Sequence, residues 1–164
     1  MTRETYCKMT QPFRDHPERA KSLHMANKIL TAIVFIAYPL LLIWLYVKLP
    51  DQLLRAILVP LDGFIGVSVF RYLVNRRRPY ETFGVAPVIP KETSGKSFPS
   101  RHVFSAAIIA FTFLAIPGMN GIGAALVICA VGIAVIRVIS GVHYISDVGA
   151  AFVIALLLSA LYVL

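Results

Sequence analysis

Three short stretches of this chain carry residue types suited to chemistry on an anion. They are Arg71-x6-Arg78-Pro79, then Pro99-Ser100-Arg101-His102, then Arg137-x5-His143-x3-Asp147. Two arginines seven apart on a continuous helix share a face and sit about 10 Å apart along its axis. Arginine bonds a tetrahedral oxyanion bidentately and stays charged while doing so. Ser100 stands where an apolar run begins, and the free amides of a helix N-terminus bind anions; its hydroxyl adds a donor. His102 can give a proton to a leaving alkoxide near neutral pH. His143 and Asp147 are four apart, so both can face one way on a starting helix. A carboxylate bonded to one imidazole nitrogen fixes the tautomer and leaves the other nitrogen nucleophilic. Arg137 precedes the break at Gly141 and can fold back toward the same anion.

Each stretch also has a plainer reading. Arg71 and Arg78, with Arg76 and Arg77 alongside, suit a basic cluster flanking a membrane span. Ser100 suits a helix N-cap followed by an interfacial histidine. His143 and Asp147 suit a structural pair, although that leaves unexplained why both lie opposite another histidine and several arginines. A metal held by His102, His143 and Asp147 is disfavoured, because the surrounding arginines repel a divalent cation. Ser94-Gly95-Lys96-Ser97 imitates the end of a phosphate-binding loop, but Pro90 occupies the position that needs glycine.

The elements that position these residues follow from composition. Of 164 residues, 58% are hydrophobic and 15% charged, whereas soluble domains carry about 25% charged residues. Lipid is the expected solvent. The expected fold is an all-α integral membrane bundle of about five transmembrane helices, spanning about 28–48, 52–75, 102–117, 121–139 and 144–164. Five spans of about 20 residues each leave no room for a doubly wound nucleotide domain or a β-sandwich. The run from Ile29 is too long for a cleaved signal and ends without a small-residue cleavage site, so it reads as a retained span. Residues 1–27 form a basic segment, and Phe13 to Lys28 reads as an interfacial amphipathic helix or a basic tail. Residues 76–100 exceed normal connector length, which indicates a functional loop or a linker. The fourth span is rich in glycine and alanine, as close packing in lipid requires. Cys7 and Cys129 make no disulfide or zinc pattern. Asp62, mid-way along the second span, reads as a protonated carboxyl bonded to another helix, given the cost of a charge at that depth; contact with the site or with a lipid headgroup is the alternative.

With five spans, the N-terminus, the 76–100 segment and the turn at Gly141 share one side of the membrane. All three chemical stretches lie there, as do all of the 16 Lys and Arg residues except Lys48 and Arg55. Ionisable residues converging at a membrane edge are functional candidates by default. Basic residues gather on the cytoplasmic side, which places this end in the cytoplasm.

Taken together, the three stretches resemble the type 2 phosphatidic acid phosphatase (PAP2) family of membrane lipid phosphatases. That family's pattern is Lys-x6-Arg-Pro, Pro-Ser-Gly-His and Ser-Arg-x5-His-x3-Asp. Here Arg71 replaces the lysine, Arg101 the glycine and Ile136 the serine, while the spacing within each motif is intact across about residues 71–150. The resemblance implies an enzyme: a phosphatase that uses no metal or other cofactor. Its substrate class would be a phosphomonoester or diphosphate of a lipid, such as phosphatidic acid, phosphatidylglycerophosphate or a polyprenyl phosphate. The Gly141-Val142-His143-Tyr144 run also occurs among undecaprenyl-diphosphate phosphatases. By the same resemblance His143 attacks phosphorus to give a phosphohistidine, Asp147 orients it, and His102 protonates the departing oxygen. Arg71, Arg78, Ser100, Arg101 and Arg137 hold the phosphate. The implied partners are the lipid substrate and the bilayer, with no nucleic acid. Family members commonly have six spans and a site facing away from the cytoplasm, against the charge balance here. A phosphotransferase using the same intermediate, and a non-catalytic binder of anionic lipid, are the competing readings.

Overall fold

A helix that lies in hydrocarbon must satisfy every backbone group internally, and this chain is helical almost throughout. The computed structural model describes residues 1–91 and 93–162, among which there are seven α-helices, one closing turn of 3-10 helix and no strand. They are α1 (Arg3–Arg14), α2 (Pro17–Lys48), α3 (Pro50–Val74), α4 (Pro79–Phe83), α5 (Arg101–Ala115), α6 (Asn120–Ile139) and α7 (Ile145–Ser159). α2, α3, α6 and α7 with its closing turn are each long and apolar enough to cross a membrane. Their outward faces carry exposed Ile36, Ile43, Leu54, Ile128 and Leu157. Such a belt is costly in water and suited to lipid.

α5 is different. It has 15 residues, about 22 Å of helix, and every residue from Val103 to Ala110 is buried. It packs against α2, α3, α6 and α7 and forms the axis of the bundle. Because protein rather than lipid surrounds it, α5 need not match the hydrocarbon thickness, and its N-terminus lies recessed within the bundle. Gly123 lets α6 approach closely: a Cβ there would stand 2.8 Å from the Leu114 backbone nitrogen.

Two local expectations change. The amphipathic helix expected over Phe13 to Lys28 is divided at Asp15-His16. Pro17 has no N–H and its ring clashes with the preceding turn, and His16 before it takes a non-helical conformation. The separate N-terminal helix is therefore Arg3–Arg14, and α2 runs unbroken from Pro17 through residue 28, where the span was expected to begin. The second change concerns Arg71 and Arg78. α3 ends at Val74, with Asn75 in the left-handed conformation, so the two arginines do not share a helical face. Pro79 opens α4 rather than closing α3.

The C-terminus of α3 and the N-termini of α4, α5 and α7 meet the C-terminus of α6 at one end. The Ser100 amide donates to the Asp147 carbonyl at 2.9 Å and the Val88 amide to the Ser140 carbonyl at 3.0 Å, tying the long connection to the turn between α6 and α7. That turn depends on Gly141, whose φ is +73° and where a Cβ would collide with the ring and hydroxyl of buried Tyr6. α1 thus braces the turn that carries His143. Replacing Gly141 by alanine is expected to cost at least about 1–2 kcal/mol for the left-handed backbone, plus the clash, and to lower the unfolding midpoint in detergent. Gly121→Ala, on a helix with open space at the Cβ, is expected to leave the midpoint unchanged or raise it.

Candidate active site

The 76–100 connection is held by its own polar residues. Glu81 accepts from the Arg78 amide at 2.8 Å, the Ser94 hydroxyl at 2.6 Å and the Gly95 amide at 3.0 Å. Asn75 Oδ1 accepts from the Lys96 amide at 3.2 Å, and the Tyr80 hydroxyl donates to the Thr93 carbonyl. The folded connection closes over a cavity of about 300 Å³, lined by Arg71, Arg78, Lys91, Lys96, Arg101, His102 and His143 among others. No carboxylate is among its described lining residues.

Backbone carbonyls aim the guanidiniums. Arg71 Nη1 donates to the Pro99 carbonyl at 2.6 Å, and Arg78 donates from Nε to the Gly95 carbonyl at 3.0 Å and from Nη1 to the Val142 carbonyl at 3.3 Å. Arg78 is buried, and its Nη1 also lies 3.5 Å from His143 Nε2. The other ring nitrogen, Nδ1, faces Asp147 Oδ2 at 3.4 Å. Asp147 is fully buried and receives three further donors: the Tyr144 amide at 2.9 Å and the Ser97 hydroxyl at 2.5 Å on Oδ2, and Arg76 Nη1 at 2.8 Å on Oδ1. The carboxylate caps the first turn of α7 while it holds the imidazole.

Burial pushes His143 down to about 4, with Arg78 and Arg137 adding to the effect and Asp147 only partly opposing it. The ring is therefore neutral at pH 7, which is the form with a free nucleophilic nitrogen. Lys91 is pushed down to about 8, first by burial and then by the charges of Arg78, Arg137, Arg71 and Arg101.

Ser100 is fully buried at the N-cap of α5, yet its hydroxyl makes no capping bond and no other bond to a described residue. A serine at an N-cap ordinarily bonds the second or third amide of its helix, so the capping reading fails here. Arg137 is likewise buried, and its Nε has no partner among the described residues. A buried donor without a partner costs about 1–3 kcal/mol, and an oxyanion would satisfy both. Ser100, Arg137 and Asp147 are not among the residues lining the cavity, whereas the other site residues expected from sequence line it. Arg101 is exposed, with its guanidinium over the Phe64 ring at 5.3 Å.

Asp62 is corrected: it is exposed on α3 beside Gly63 and Ile154, with no hydrogen bond to another helix among the described residues. Sequence reasoning missed Ser97, Lys91 and the role of Arg76. Arg76 stands beside Arg77 in what reads as a flanking cluster, Ser97 enters only in the phosphate-loop imitation that Pro90 rules out, and no motif spacing marks Lys91. Among the described residues no cluster of three or more His, Cys, Asp or Glu side chains could hold a metal ion.

The model of the PAP2 superfamily matches residues 52–164. The chain belongs to that superfamily. It is a PAP2-type phosphatase, and Arg71, Arg78, Arg101, His102 and His143 of its motifs line one cavity. Similar solved structures include that of Aquifex aeolicus LpxE, with a TM-score of 0.74 and 22% identity over 98% of this chain and 93% of that one. A transmembrane PAP2-type phosphatidylglycerolphosphate phosphatase from Bacillus subtilis gives a TM-score of 0.60 and 21% identity over 96% and 90%. At such identities the likeness is one of fold. No curated protein sequence matches.

In this PAP2 chain the Lys91 ammonium loses its proton as pH rises through about 8. Tungstate, used as a phosphate mimic, is expected to inhibit with constant affinity up to that pH and severalfold more weakly above it. Lys91→Met is expected to bind tungstate more weakly and to abolish the change, as read from inhibition constants measured between pH 6 and 9.5.

Proposed function

We propose that the protein is a metal-independent membrane lipid phosphatase that hydrolyses a phosphomonoester or diphosphate of a lipid through a phosphohistidine on His143. The observation that carries this reading is the disposition of one imidazole: Nδ1 toward Asp147, Nε2 toward the guanidinium of Arg78 at the cavity. Arg71, Arg78 and Arg101, together with Ser100 and Arg137, hold the equatorial oxygens and stabilise the charge that develops on them. His143 Nε2 attacks phosphorus, the bond from phosphorus to the lipid oxygen breaks, and His102 gives its proton to that oxygen. Water then attacks the phosphohistidine and passes a proton to His102. The phosphorus–nitrogen bond breaks, and inorganic phosphate leaves with the histidines restored.

A recessed cavity at a membrane edge selects lipid phosphates, because the headgroup already lies at that depth. The Bacillus subtilis phosphatidylglycerolphosphate phosphatase shares the fold, which supports a lipid substrate. The charge balance supports a cytoplasmic site. Maleimide labelling of Ala86→Cys in a cysteine-free chain checks the orientation: protection in intact cells and labelling after permeabilisation is the expected result.

His143→Ala is expected to abolish phosphate release from a panel of lipid phosphates while lipid binding survives. Unchanged turnover would refute the mechanism. His102→Ala is expected to lower kcat by about 10²–10⁴-fold, the usual worth of a general acid. A rise in KM with kcat intact would instead assign His102 to binding. EDTA is expected to leave activity unchanged.

A further inference from the structure

Arg76 occupies one of the six unspecified positions of the first motif and lies outside the cavity lining, yet it touches the carboxylate on which the nucleophile depends. Its Nη1 sits 2.8 Å from Asp147 Oδ1 and 2.9 Å from the Ser146 hydroxyl. The guanidinium lies over the Tyr144 ring at 4.1 Å, next in sequence to His143. Its backbone carbonyl accepts the Ser97 amide at 2.9 Å, and the Ser97 hydroxyl in turn donates to Asp147 Oδ2. One residue therefore governs both carboxylate oxygens, Oδ1 through its side chain and Oδ2 through the backbone of Ser97.

We infer that Arg76 is a positioning residue for the phosphatase reaction, clamping Asp147 from behind so that Oδ2 stays turned to His143. The inference rests on the reading of His143 as nucleophile. Attack on phosphorus leaves positive charge on the imidazole, and a carboxylate held in place stabilises it. Free of its cation, the buried carboxylate can rotate so that Oδ2 leaves Nδ1, or take up a proton from solvent; a protonated carboxyl donates to Nδ1 and leaves the ring proton on Nε2, the nitrogen that must attack phosphorus. The ion pair with Arg76 opposes both by keeping the carboxylate charged and its Oδ1 engaged. The planar stack on Tyr144 explains arginine rather than lysine at this position, since an ammonium cannot reproduce it. The motif arginines act differently, because they reach toward the oxyanion itself.

Kinetics of purified Arg76→Gln, Arg76→Lys, Asp147→Asn and the Arg76→Gln/Asp147→Asn double variant test this, with tungstate inhibition measured for each. Arg76→Gln is expected to lose about 10- to 100-fold in kcat, the usual size when the bonds orienting a ligand side chain are removed. KM and tungstate affinity are expected to stay within about twofold, as for an interaction made through another residue. Arg76→Lys is expected to fall between, and adding Arg76→Gln to Asp147→Asn to cost little more. Loss of tungstate affinity with a raised KM would make Arg76 a phosphate ligand and overturn the inference, as would additive losses in the double variant. If Arg76→Gln does not fold, Arg76→Lys carries the test, and wild-type kcat in it overturns the proposal. His143→Ala run alongside separates the two claims. Turnover surviving there refutes the nucleophile, whereas an inactive His143→Ala beside a fully active Arg76→Gln refutes only the clamp.

Discussion

The architecture turns on concentrated, buried positive charge at one end of a bundle that otherwise dissolves in hydrocarbon. Arg71, Arg78 and Arg137 are buried there, with Lys91 and Arg101 at the cavity. Burying an ion costs several kcal/mol unless partners replace its hydration. The partners present are carbonyl dipoles, those of Pro99, Gly95 and Val142. Among the described residues the one fully buried carboxylate, that of Asp147, is engaged with His143. Neutral acceptors aim the guanidiniums without cancelling their charge, and the cluster keeps a strong preference for an anion. Chemistry that handles a phosphoryl group is what such an unbalanced site can do.

Much of the fold serves that constraint. The 76–100 connection is irregular apart from α4, and Glu81 and Asn75 supply its internal bonds. The short, enclosed α5 sets its N-terminus, with Ser100 and His102, within the bundle. Gly141 turns the chain between α6 and α7 so that His143 emerges beside Arg78, while α7 begins with Asp147 as both cap and orienting group. The same low-dielectric surroundings keep His143 neutral at physiological pH.

The motif residues were legible because spacing carries their geometry: a separation of four positions lets His143, just before α7, meet Asp147 in its first turn. The helical bundle was legible from apolar runs separated by Pro and Gly. The division at Pro17 was written in the sequence as a proline, but the basic residues after it masked a helix continuing to Lys48. Arg78 kept its site although the helical argument for it failed, because the route through left-handed Asn75 and the N-cap of α4 depends on bonds made by Glu81 to a distant segment. Ser97, Lys91 and Arg76 were illegible for a related reason. Each acts through tertiary contact across the folded connection, and no local period announces such contact. Asp62 misled by its depth, since the cost of an intramembrane carboxylate argues for a partner that α3 does not provide.

The account stands most directly on where an oxyanion binds. A structure of the detergent-solubilised protein with tungstate is predicted to place tungsten in line with His143 Nε2, with oxygens contacted by Arg71, Arg78, the Ser100 hydroxyl and Arg137 Nε. Tungstate bound away from that imidazole, with Ser100 and Arg137 still without partners, would contradict it.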